Sequence, residues 1–167
     1  MSPDQLEMLA PVAARTPHQN HSRTLLRNPP LYKSWSQFAL HLLNGTDLDA
    51  RDRELLILRT GWVCRAEYEW AKHILAAKAA GVTDAEIARV KTGSGSLGWS
   101  SKDRQLMITV DALHQRFGLS LEEWSALSLY FPEPQLMEIV FVVGQYHLVA
   151  MAFNSFGVQL ETGMEGF

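Results

Sequence analysis

The run from Ile139 to Phe153 carries no charge, and Gln145 and His147 are its strongly polar interruptions. No other segment constrains the fold as much. It falls short of the about 20 apolar residues that cross a bilayer. A helix that is apolar on all sides is stable in water only when other elements enclose it, at the centre of a domain or at a subunit interface. The remainder of the chain must therefore supply apolar faces that wrap it.

Those faces are helical. No run shows sustained alternation with β-branched enrichment, so strands are not expected. Pro29-Pro30 opens a helix reaching about Leu43, with Trp35, Phe38, Ala39 and Leu42 on one face, and Asn44-Gly45 closes it. Asp49 is an N-cap for a helix from Ala50 to about Val63, with Asp52 in its first turn. After a break near Cys64 a helix runs from Glu67 to Ala80 and stops at Gly81. Thr83 caps a short helix to Lys91, Ser100 or Ser101 caps one to about Phe117, Ser120 starts another to Tyr130, and Pro132 precedes the long apolar helix. The expectation is an all-α domain over residues 23–161, with an N-terminal arm over 1–22 and a tail over 162–167.

Composition removes several functions. Fifteen Lys+Arg against eighteen Asp+Glu leave a net charge of −3, a poor footprint for phosphate neutralisation, so no nucleic-acid partner is expected. A single cysteine, Cys64, excludes an intramolecular disulfide and a Cys-x-x-Cys couple. The N-terminal residues lack a basic start followed by an apolar run, so the expected location is the cytoplasm, with no membrane partner. Gly93-Ser-Gly95-Ser-Leu-Gly98 spells GxGxxG, but the dinucleotide fingerprint needs a strand before it and a βαβ context. The preceding segment is helical, so nucleotide binding is rejected.

Chemistry concentrates in Arg53-Glu54-Leu-Leu-Ile-Leu-Arg59 and Glu67-Tyr68-Glu69-Trp70-Ala-Lys-His73. Glu69 and His73 lie at i,i+4 and share a helix face. The stripe through Ala66, Glu69, His73, Ala76 and Ala80 surrounds the pair with small side chains, as a pocket floor would be. A neighbouring carboxylate tunes imidazole towards proton transfer near neutrality; a plain surface pair reads the same way from spacing alone. Glu54 sits on an inward stripe with Ile57, Leu58 and Gly61. A buried carboxylate needs a partner, from Arg59, Arg51 or His73, either as a structural ion pair or in catalysis. Cys64 is either a thiol activated by the helix N-terminus and Arg65 or a small inert residue. His147 and Asn154 fall on one face of the last helix, satisfied in the core or lining a pocket. A metal held by Glu54, Glu69, His73 and His147 would break the duplicated Glu-x-x-His pattern of helical di-iron sites; neither metal nor organic cofactor is expected.

Together RELLILR, EYEWxxH, AGV-T-x-x-E-I, GW-S-x-x-D and NxxGVQLE resemble the carboxymuconolactone decarboxylase family, which shares the alkylhydroperoxidase D (AhpD-like) fold. The likeness runs from about residue 25 to residue 161. It implies an all-α, AhpD-like domain built on a central antiparallel helix hairpin, and assembly as a dimer, trimer or hexamer. The redox branch carries a glutamate, a Cys-x-x-Cys and a histidine four residues beyond the second cysteine. Aligned on Glu54 and His73, those cysteines fall on Ala66 and Glu69, and Cys64 is two positions out of register. The thiol-disulfide chemistry therefore does not carry over. The decarboxylase branch is similar in its acid and histidine, spaced as Glu69 and His73, and acts on a small cyclic enol-lactone acid without cofactor. The expectation is a lyase (carboxy-lyase) or isomerase acting on a small-molecule acid. His73, Glu69 and Glu54 are its catalytic candidates and Tyr68 a donor to a developing oxyanion. Trp70 and Trp62 are candidate walls for a flat ring, and His147 is a further lining residue. Two other readings are a Cys64-dependent peroxidase and a non-catalytic small-molecule-binding oligomer.

Overall fold

The computed structural model describes residues 19–167; the expected arm lies outside the described residues as far as residue 18. Eight α-helices and no strand occur among the described residues. They are α1 (Asn20–Leu25), α2 (Pro29–Asn44), α3 (Ala50–Val63), α4 (Glu67–Ala79), α5 (Asp84–Thr92), α6 (Ser101–Arg116), α7 (Leu121–Ser128) and α8 (Glu133–Phe156). Most starts follow the capping chemistry of the sequence. The Asp49 carboxylate accepts from the Arg51 and Asp52 amides, Thr83 and Ser120 form capping boxes with Glu86 and Glu123, and Ser100 accepts from Asp103. Residues 20–22, read from the sequence as the end of an arm, belong to α1, and Ser22 is buried.

The centre of the molecule is α3, which packs against α4, α5, α6 and α8. It buries every residue from Glu54 to Gly61. With α4 it forms an antiparallel hairpin: Gly61 lies beside the Trp70 backbone near the turn, and Glu54 meets His73 further along. The turn is tight, and Arg65 takes a left-handed φ of 51° within it.

A fully enclosed helix with charges needs a partner for each one. Arg51 bridges Asp103 at 2.9 Å and Glu86 at 2.5 Å. Lys102 reaches Asp52 at 2.7 Å. Arg59 donates to Asp111 at 2.7 Å and to the Val90 and Lys91 carbonyls at 2.7 and 3.1 Å. The glycine loop closes over this last contact. Gly93 has φ 80° and ψ −151°, a region open to glycine almost alone, and the Arg59 guanidinium occupies the space a Cβ would take. Trp99 Nε1 donates to the Gly93 carbonyl at 3.0 Å, and Arg104 donates to the Ser94 and Ser96 carbonyls. Arg89 donates to the Gly98 carbonyl at 3.3 Å, so the GxGxxG letters encode a cap over three arginines.

The long apolar helix is placed on the flank. One side of α8 (Ile139, Val142, Val143, Tyr146, Phe153) packs inward, and Met137, Phe141, Leu148, Met151 and Phe156 remain exposed. By length and composition alone α8 could cross a membrane, with mean hydropathy 1.7 over its most apolar window, but half of that window is buried in the protein.

Candidate active site

The hairpin aims three ionisable groups at one point. His73, on α4, faces Glu54 across the α3–α4 seam, Nδ1 to Oε2 at 2.7 Å. Its Nε2 faces Glu69, one turn earlier on α4, at 3.4 Å. Both carboxylates are buried, and the His73 side chain is 13% exposed. The partner that burial demanded of Glu54 is thus His73, with Arg53 Nε further off at 3.8 Å. Burial alone would push the His73 imidazole down, but the bonds from Glu54 and then Glu69 outweigh it and raise it to about 9. At neutral pH His73 is an imidazolium held between two acids.

Above it opens a cavity of about 420 Å³ between α1, α2, α4 and α8. Glu69 and His73 form its floor, and Ala39 and Ala76 supply the small side chains that leave it open. The Tyr146 ring meets the His73 ring edge-on at 4.9 Å. Trp35 and Phe153 are the other aromatic walls, and Lys72 also lines the pocket, its ammonium 3.4 Å from Glu161 Oε2. Gln145 lines the same cavity, is buried, and its amide nitrogen has no hydrogen-bond partner among the described residues. A buried amide left unpaired in a hollow is suited to meet a ligand oxygen.

Tyr68 also lines the cavity, but its proton is committed. Its hydroxyl donates to Glu161 Oε1 at 2.6 Å and lies 3.0 Å from His21 Nδ1. The hydroxyl has one proton, so His21 Nδ1–H must donate to its oxygen. His21 Nε2 then accepts from Ser22 Oγ at 3.1 Å, and Ser22 in turn accepts from Tyr32 at 3.4 Å. The chain Tyr32–Ser22–His21–Tyr68–Glu161 is therefore ordered in one direction and requires neutral His21, whose imidazole burial pushes down to about 4. The same network raises the Tyr68 phenol, chiefly through burial and the bond to Glu161. In this arrangement Tyr68 orders the wall and has no free proton for an oxyanion.

Three of the expected lining residues lie elsewhere. Trp70 is core, 1% exposed, and packs with Trp62 at 5.4 Å, beside Lys91 and Phe167. Phe167, from the segment read as a tail, stacks edge-on against Trp62 at 5.1 Å. This aromatic group does not line the cavity, so the flat walls are Trp35 and Phe153. His147 also points away from the cavity, to Cys64 and His114. His21, Trp35, Lys72, Gln145 and Tyr146 are pocket residues that the sequence reading did not assign to a pocket.

The model of the carboxymuconolactone decarboxylase family matches residues 29–112. The chain belongs to the carboxymuconolactone decarboxylase family. Comparison with curated proteins gives no match. Among solved structures, an uncharacterized peroxidase-related protein from Ralstonia eutropha JMP134, described as an alkylhydroperoxidase AhpD core, superposes with a TM-score of 0.84. It is 13% identical, over 97% of this chain and 87% of that one. A protein of unknown function from Agrobacterium tumefaciens gives a TM-score of 0.77 at 16% identity, over 83% of this chain and 95% of that one. A cysteine-to-alanine variant of the debrominase Bmp8, in complex with 2,3,4-tribromopyrrole, gives 0.77 at 14% identity, over 97% and 90%. At these identities the likeness establishes an AhpD-like fold. Family and fold agree with the hairpin of α3 and α4.

Proposed function

We propose that this member of the carboxymuconolactone decarboxylase family is a cofactor-free acid–base enzyme, a carboxy-lyase or isomerase, acting on a small cyclic or aromatic-derived carboxylic acid or lactone. The observation that carries the reading is the His73 imidazole, clamped by Glu54 and Glu69 at the floor of a cavity of about 420 Å³. Lys72 suits a substrate carboxylate, Gln145 a carbonyl or lactone oxygen that gains charge, and Trp35 and Phe153 a flat ring. In decarboxylation the carbon–carboxylate bond breaks, CO2 leaves, and its electron pair enters the conjugated carbonyl beside Gln145. His73 then returns a proton to that carbon and is reprotonated from solvent. In isomerisation Glu69 removes a carbon proton, His73 delivers one at the new position, and the proton on Glu69 then passes to His73 Nε2, which faces it at 3.4 Å. Glu54 holds the charge of the imidazolium from behind.

Use of Cys64 as a peroxidatic nucleophile is less well supported. Its thiol lies outside the cavity, and burial pushes it up to about 11, away from the reactive thiolate. Turnover of small cyclic and aromatic acids by the wild type and by His73→Gln tests the reading. Loss of about 10²–10⁴-fold in rate is expected in the variant, assayed where far-ultraviolet circular dichroism shows it folded, because Glu54 loses its buried partner and the melting temperature falls as well. A ligand that raises the melting temperature and is recovered unchanged from the wild type would make the protein a binder instead.

A further inference from the structure

On the side of α8 away from the cavity, three potential ligands meet from three elements. Cys64 ends α3, His114 lies in the last turn of α6, and His147 lies mid-way along α8. His114 Nδ1 is 3.0 Å from His147 Nε2 and 3.9 Å from Cys64 Sγ, and all three ligand atoms fall within 4.8 Å of one another. We propose that Cys64, His114 and His147 form a binding site for one thiolate-accepting divalent transition-metal ion, of which zinc is the type, with water in the fourth position.

The spacing is that of ligands around one ion. A tetrahedral zinc with bonds of about 2.0–2.1 Å to nitrogen and about 2.3 Å to sulfur spaces its ligand atoms roughly 3.3–3.7 Å apart. Small movements of the two imidazoles and the thiol reach this from the distances seen. The outer contacts are those of a metal site as well. His147 Nδ1 lies 2.8 Å from the Val143 carbonyl, which can only accept, so the proton is on Nδ1 and the Nε2 lone pair faces the cluster. The Asn154 amide donates to the carbonyls of Cys64 and Arg65 at 3.2 and 3.4 Å, fixing the turn that presents Sγ. All three ligands are partly exposed, which leaves a path for an ion and a place for water. No carboxylate or cation pairs with any of the three side chains among the described contacts.

Without metal, His114 Nδ1–H donates to His147 Nε2. On binding, the Cys64 S–H bond breaks, a metal–thiolate bond forms, and the proton leaves to solvent. His114 keeps its own proton by moving it to Nε2, so one proton is released per ion.

Reduced, chelator-treated full chain titrated with Co2+ tests this. One equivalent per chain should give tetrahedral visible bands and a near-ultraviolet thiolate-to-cobalt charge-transfer band. Zn2+ should displace both signals, and the affinity should rise with pH. Cys64→Ser should abolish the charge-transfer band, and His147→Gln should weaken binding at least tenfold, both with unchanged far-ultraviolet circular dichroism. His73→Gln should bind as the wild type does, which separates this site from the pocket. No charge-transfer band in the wild type, or Co2+ affinity unchanged in Cys64→Ser and His147→Gln, would overturn the proposal and leave the two imidazoles as a hydrogen-bonded pair. Variants that fail to fold would be replaced by direct measurement of proton release and metal content in the wild type, where a release near zero or a substoichiometric content overturns it equally.

Discussion

His73 and His21 face the same cavity with opposite proton occupancy at neutral pH, and each has its own pH limb. The His73 imidazole rises from 6.5 to about 9 in the fold, so its contribution to stability is complete below pH 6.5 and is lost as pH climbs through 9. The limit is about 3 kcal/mol, at about 1.4 kcal/mol for each tenfold shift. Urea midpoints should fall across that window in the wild type, and Glu54→Gln should flatten the fall; an identical slope in both would remove the Glu54–His73 coupling. The imidazolium also serves as the proposed acid, so kcat/KM should drop above about pH 9. His21 runs the other way. Its imidazole falls to about 4 because of burial, so protonation between pH 6.5 and 4 costs stability, and His21→Gln should lose that acid limb. The Glu54–Glu69–His73 constellation was legible because helical spacing governs it: one pair at i,i+4 and one carboxylate on an inward stripe. His21 and Glu161 were not, since they reach Tyr68 from 47 and 93 positions away, and no local periodicity records such a meeting. The aromatic walls were misplaced for a related reason. Spacing puts Trp70 on one face of α4 but does not say which face the neighbours leave open.

At the scale of elements, caps and breaks were written locally and the packing order was not. Asp49, Thr83, Ser100 and Ser120 begin helices through their own side chains, and the turn of the hairpin falls at the expected break around Cys64. The hydrophobic run of α8 suggested a helix at the centre or at a subunit interface; the centre is α3, with its two-sided burial and its charges. Arg51, Asp52, Glu54 and Arg59 are each met by a residue from another helix, while Arg53 Nε lies 3.8 Å from Glu54 of its own helix; periodicity does not express such pairings. The loop after α5 gives a direct test. Gly93→Ala puts a Cβ into the space of the Arg59 guanidinium at a φ of 80°, and we expect a loss of about 1–3 kcal/mol from the backbone conformation alone. Denaturant unfolding should show a lower midpoint at unchanged slope, while Gly95→Ala, with open space around it, should be close to neutral. Equal effects at the two glycines would mean that the loop does not cap Arg59.

At the scale of the whole molecule the outer face of α8 is the unresolved cost. Phe141, Leu148, Met151 and Phe156 are each about half exposed or more, and Phe38 of α2 meets Phe141 edge-on at 6.2 Å beside them. An apolar stripe of this extent is uncommon on a monomer in water. We propose that a second copy of the chain covers it, with the α2–α8 faces of two protomers packed across a two-fold axis. A net charge of −3 opposes such contact only weakly. A self-complementary contact suits the arrangement, because each contact between two residues of the stripe is then made twice, with the protomers exchanged. Sedimentation equilibrium should give a mass of two chains or a multiple of two. Phe141→Glu with Leu148→Glu should shift it to one chain, by placing unpaired charge at the centre of the contact. Retention of the wild-type mass in that double variant would place the interface elsewhere. A wild-type monomer that partitions onto lipid vesicles would make the stripe a membrane contact.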